Sequence, residues 1–124
     1  MTDRGPLDEG AGASMTPTLA EGLTLFEEGK YFLAHEIWEE EWVDAPADER
    51  DFLQGIIHVT IAMHHASSGN ARGSVMQARK ALKRLESYPP VHRSVSVDNA
   101  RRFAHSIIEM EGKAPPPAPR LRAT

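Results

Sequence analysis

From Thr16 to Glu111 the apolar residues recur every three or four positions, and no stretch of any length alternates as a strand requires. A helix with one apolar stripe must bury it against another element, and with no sheet on offer the element is another helix. A first helix starts at Thr16, with Pro17 in the first turn where its missing N–H costs nothing; Thr18 with Glu21 is an alternative capping box. Leu19, Leu23 and Phe26 form its stripe, and Gly29 ends it. The second helix runs from about Tyr31 to Val43. Asp44 to Glu49 breaks the chain, with Pro46 near the start of a third helix carrying Phe52, Leu53, Ile56, Ile57, Ile61 and Met63. Gly69 stops that helix, and Asn70 can cap a fourth bearing Val75, Met76, Ala78, Leu82 and Leu85, ended by Tyr88-Pro89-Pro90. A fifth, shorter helix holds Phe103, Ile107 and Ile108, with Ser96 or Asp98 as its cap. The expected fold is all-α, a compact bundle of about five helices built from antiparallel helical hairpins.

The length of 124 residues suits one core. Residues 16–111 are expected to be the single helical domain, between a loose N-terminal tail (1–15) and a Pro-rich C-terminal tail (112–124) that holds Pro115, Pro116, Pro117 and Pro119. A formal charge of −4 gives no electrostatic footprint for nucleic acid or an anionic membrane. The basic run from Ala78 to Leu85 (ARKALKRL) has a clear apolar stripe and reads as an exposed helix face. The absence of cysteine excludes disulfides, thiolate metal sites and a cysteine nucleophile. With no apolar run of membrane-spanning length and no signal-like start, a soluble cytoplasmic protein is the expectation.

The chemistry concentrates in the second helix, whose residues 31–42 read YFLAHEIWEEEW. At roughly 100° per residue, His35, Glu39 and Trp42 fall nearly on one line, with Trp38 and Phe32 beside it and Glu36 on an adjacent stripe. The run Glu39-Glu40-Glu41 reads as solvated apart from Glu39. On the third helix Gln54, His58 and His65 share a face, while His64 turns aside. If the two stripes meet, His35, Glu39, Gln54, His58 and His65 form a buried polar cluster. Imidazole and carboxylate are ligands for zinc, iron or manganese, so His35, Glu39 and His65 are candidate metal ligands, with His58 as a further one. The HEIWE segment approaches the H-E-x-x-H pattern of zinc hydrolases, with Glu39 where the second histidine would stand and Glu36 in the place of the general base. The competing reading is structural: a buried glutamate satisfies a tryptophan N–H, and Trp38 and Trp42 are core anchors.

Phe26, Gly29, Tyr31, Ala34, His35, Glu36, Glu39 and Trp42, followed by Phe52, Leu53, Gln54, Gly55, His65, Gly69, Asn70 and Gly73, resemble the pattern of the domain of unknown function family numbered 309. The resemblance covers roughly Leu23 to Leu85, and departs at His58, where that pattern carries glutamine. It implies a small all-helical fold and no established activity. Two classes of function follow. The first is a non-enzymatic module binding a partner protein or a small molecule, with His35, Glu36, Trp38, Glu39, Trp42, Gln54, His58 and His65 as the binding or structural cluster. The second is a small hydrolase using a divalent metal such as zinc, with Glu36 as base for a metal-bound water.

Overall fold

Glycine and proline mark where the helices stop and start in the computed structural model, which describes residues 15–113 and 116–123. The helices are α1 (Pro17–Glu27), α2 (Tyr31–Val43), α3 (Ala47–Ser67), α4 (Ala71–Leu85) and α5 (Val97–Glu109). Residues 28–30, 44–46 and 68–70 are the links between the first four, short enough to fold each helix back along its predecessor. Gly29 and Gly69 adopt φ of +80° and +81°, the left-handed geometry that lets α1 and α3 end in a tight reversal. Each helix packs on the next, and the α3–α4 interface is the most extensive.

Local chemistry fixes the ends. The Thr16 hydroxyl accepts from the Leu19 N–H at 3.1 Å and donates to Glu41 Oε1 at 3.0 Å, so one side chain both caps α1 and ties it to α2. Asn70 Oδ1 accepts from the Gly73 N–H at 2.9 Å, and Ser96 Oγ from the Asn99 N–H at 3.1 Å. Thr16 rather than Thr18, and Ser96 rather than Asp98, are therefore the caps.

Two glycines set the helix crossings. Gly22 on α1 lies against the indole of Trp38, where any added Cβ would overlap the ring. That contact brings Trp38 Nε1 to 3.2 Å from the Leu19 carbonyl, to which it donates. Gly55 on α3 lies likewise against the side chain of Leu85 on α4. The core between them is built from Leu19, Leu23, Trp38, Phe52, Leu53, Ile56 and Leu85, all fully buried. Met76, expected on the inward stripe of α4, is exposed instead, because Ser74, Ala78, Ala81 and Leu85 define the buried face.

Two features depart from an all-helical chain with loose ends. A hairpin of β1 (Val91–His92) and β2 (Val95–Ser96) precedes α5, pairing Val91 with Ser96 and His92 with Val95. Its loop residues Arg93 and Ser94 both have positive φ (52° and 64°), the geometry of a two-residue turn between antiparallel strands. The C-terminal segment returns to the bundle: Leu121 is 2% exposed, and Arg122 forms a bridge with Val95. Arg122 Nε also pairs with Glu27 on α1 at 2.8 Å. The expectation of a loose tail from residue 112 onward thus fails around Leu121, whose burial outweighs the polyproline preference of the residues before it. The expected N-terminal tail lies outside the described residues, apart from Met15.

Candidate functional site

The long helix α3 buries most of its circumference, but Gln54, His58, Ile61 and His65 stay half-buried along one line. This is the stripe marked out by their spacing. It does not face a single neighbour. Its first half opens toward α4 and its second toward α2, so the expected five-residue cluster is divided.

At the α2 end, Tyr31, Phe32, His35, Thr60, Ile61, His64 and His65 line a groove of about 290 Å³. Phe32 is 57% exposed, a large apolar ring left mostly in water. Its ring lies 5.6 Å from that of His35 and 6.5 Å from that of His64, with His64 and His65 a further 6.0 Å apart. His35 Nε2 sits 2.9 Å from Glu39 Oε2, one turn along α2. If that nitrogen donates to the carboxylate, Nδ1 is left as an acceptor, and it is buried with no hydrogen-bond partner. His65 Nδ1 is 3.3 Å from the Asn70 side-chain amide.

At the other end, Gln54 and His58 line a groove of about 540 Å³ with Asp51 on α3 and Lys80, Lys83 and Arg84 on α4. His58 Nδ1 contacts Gln77 Oε1 at 2.7 Å. Burial lowers the His58 pKa below the ordinary imidazole value; the Gln77 hydrogen bond opposes this, and the Lys80 and Arg84 charges add to it.

The remaining cluster residues serve the scaffold or the surface. Trp38 is a core anchor held by Leu19, as the structural reading expects, although its partner is a backbone carbonyl and not a glutamate. Trp42 stacks under Arg50, whose guanidinium carbon is 3.9 Å from the ring centroid. Glu36 is exposed and lines a separate groove with Glu21, Leu25 and Leu33. The acidic run is the reverse of its expected arrangement: the Glu39 side chain is 55% exposed, whereas that of Glu41 is 15% exposed. Among the described residues no three His, Asp or Glu side chains stand close enough to share a metal ion. His35 and Glu39 do meet, but they engage each other and His65 completes no such set.

An ionic cluster that sequence reasoning did not find lies at the turn of the hairpin. Arg93, 6% exposed, binds Glu41 at 2.9 Å and Glu49 at 3.5 Å, and Glu49 also contacts His92 Nε2 at 2.9 Å. It joins α2, α3 and the hairpin. The only sequence signal was Glu49 in the first turn of a helix, which the helix dipole explains without Arg93.

No helix among the described residues is long and apolar enough to cross a membrane. No solved structure matches the chain. An uncharacterized protein of Aquifex aeolicus (strain VF5) is 25% identical over 100 residues, covering 80% of this chain. The chain spans about 30% of the length of that curated relative. Residues 19–77 match the family described as Domain of unknown function (DUF309), and they contain most of α1, all of α2 and α3, the first half of α4 and the histidines of both grooves. Over those residues the helical domain is similar to that family.

Proposed function

We propose that this domain is a non-enzymatic binding module whose α2–α3 groove takes an aromatic or apolar group, carried by a small molecule or by a partner protein. The observation that carries the reading is the lining: exposed Phe32, with Tyr31, Ile61 and three imidazoles, around one opening of about 290 Å³. Apolar pockets with a few converging polar groups are where small ligands bind. The buried, unpaired Nδ1 of His35 supports it, because an orphaned acceptor costs about 1–3 kcal/mol and a ligand N–H or O–H would recover part of that.

The hydrolase reading needs His35, Glu39 and His65 on one ion and Glu36 beside its water. Glu39 is instead engaged with His35, and Glu36 belongs to a different groove. The geometry therefore favours binding over metal-assisted hydrolysis. Titrating the isotopically labelled protein with indole and with phenol, while following ring and amide resonances, tests the proposal. Saturable shifts should appear at His35, Thr60, Ile61 and His65 and vanish in Phe32→Ala. Shifts that map elsewhere, or stoichiometric zinc binding that moves His35 and His65 together, would sink it.

A further inference from the structure

The exposed basic run of α4 also borders a groove. Lys80, Lys83 and Arg84 line one side of the groove of about 540 Å³ whose other side holds Asp51, Gln54 and His58. Three cations thus meet one carboxylate, within a chain whose formal charge is −4. That carboxylate is committed, since Asp51 Oδ1 accepts from Arg84 Nη1 at 2.8 Å. The pair holds Arg84 at the groove wall with its other donors free for a second acceptor. Lys80 and Lys83 are hydrogen-bonded or ion-paired to no described residue. Like charges held this close repel one another, and an anion between them would relieve the repulsion.

The α3 side of the groove is equally specific. Gln77 Oε1 accepts from His58 Nδ1 at 2.7 Å, which anchors the ring and leaves Nε2 as the nitrogen that gains a proton when the imidazole charges. Beside it, the Gln54 amide offers N–H donors that no described residue engages. Ammonium, guanidinium and amide donors therefore converge on one opening, with the imidazole joining them as a donor when it is charged.

We propose that the α3–α4 groove binds a compact phosphate-bearing anion, with Lys80, Lys83 and Arg84 neutralising its charge and Gln54 and His58 donating to its oxygens. A diphosphate group matches the site better than a single carboxylate, because three cations need more than one negative charge to balance them. A nucleic-acid strand matches it less well: the groove is lined by no Phe, Tyr or Trp for a base to stack on, and the overall charge is negative. This site is separate from the α2–α3 groove, so either reading can fail without the other.

The experiment follows the ring resonances of the six histidines in the full chain as pyrophosphate is added at fixed ionic strength. A bound anion favours the charged imidazole, so the His58 pKa should rise saturably, and binding should tighten as the pH falls through its titration. The groups facing His58 are Gln77, Lys80, Lys83 and Arg84 on α4 and Asp51 and Gln54 on α3. Lys80→Gln with Lys83→Gln should weaken binding by about tenfold or more, given the strength of charge-assisted contacts to phosphate. Both lysines are exposed, so the double variant keeps the fold, and matched loss of charge at Arg72 and Lys113 should leave binding unchanged. Adenosine diphosphate, titrated in parallel, should produce the same His58 response. A response to the nucleotide alone would overturn the phosphate assignment. So would an unsaturable shift shared by all six histidines, undiminished binding in the double variant, or tighter binding of a single-stranded oligonucleotide than of pyrophosphate.

Discussion

The two grooves beside α3 each draw histidines from that helix and yet differ in chemistry. Toward α2, His64 and His65 join Tyr31, Phe32 and Ile61 in an apolar cleft; toward α4, His58 joins Lys80, Lys83 and Arg84 in a cationic one. The difference is set by the neighbouring helix. α2 distributes apolar residues around its whole circumference, with Ala34 and Trp38 inward and Phe32, Leu33 and Val43 outward. α4 is sharply two-sided, with Ala78, Ala81 and Leu85 inward and its lysines and arginines outward. A helix that is apolar on every side has surface left to offer a ligand after the core is filled, whereas a strictly amphipathic one has only charge.

The largest effect on this arrangement should come from the seam that holds α4 in place. Leu85 is fully buried against Gly55, so Leu85→Ala should cost about 2–5 kcal/mol in urea unfolding. Gly55→Ala places a methyl on the Leu85 side chain and should cost about 1–3 kcal/mol by overpacking. Together they should cost less than their sum, because the added methyl takes up space the shortened leucine leaves. Strict additivity would show that the Gly55–Leu85 contact does not set the spacing of the α3–α4 groove.

A chain ending at residue 113 separates scaffold from site. It loses Leu121, whose burial stabilises by about 1.5–3 kcal/mol. It also loses the hydrogen bond that the Leu121 carbonyl accepts from the Ser96 N–H at 2.7 Å. No residue after Arg84 lines either groove, so the shortened chain should melt at lower temperature while binding the same fragments and anions. Unchanged melting would mean that the C-terminal segment contributes no net stability; changed binding would mean that the hairpin region reaches the grooves.

Much of the helical scaffold was legible because a buried stripe repeats with the helical period and because Thr16, Asn70 and Ser96 announce the starts. The hairpin was not. Two-residue strands are too short to alternate, and its turn uses Arg93 and Ser94 where glycine or asparagine would have signalled it. Leu121 stands alone after prolines and carries no period. The cluster failed for a different reason. Helical spacing places Gln54, His58 and His65 on one face, but it cannot say that one end of that face meets α4 and the other α2. Nor can it tell Glu41 from Glu39 when the partner that buries Glu41 is Arg93, distant in sequence and presented by an unforeseen hairpin.

A smaller effect distinguishes the cationic groove by pH. The folded-state pKa of His58 lies below the ordinary value near 6.5, so on acidification the unfolded chain takes up its proton first. His58 therefore costs no stability above that value; stability falls as the pH drops from it toward the lowered folded-state pKa, and the loss is complete below. His58→Gln removes this contribution and preserves a side-chain donor for Gln77. The difference in stability between wild type and variant should therefore change across that window, the wild type losing more as the pH falls. A constant difference from neutral pH to the acid side would show that His58 titrates alike in both states.

The smallest expected effect belongs to the apolar groove, and it is the sharpest test of the contrast. Phe32 has more than half its surface in water, and its closest ring neighbours are His35 and His64. Truncating it removes little buried area, so Phe32→Ala should change unfolding stability by no more than about 0.5 kcal/mol. Keeping so large an apolar ring exposed is hard to explain by the fold alone, since the core is complete without it. If the ring instead forms one wall of a binding cleft, its loss should abolish indole and phenol binding while leaving pyrophosphate at the α3–α4 groove untouched. The reverse pattern, a large loss of stability with fragment binding retained, would make Phe32 a packing residue and remove the distinction between the two grooves.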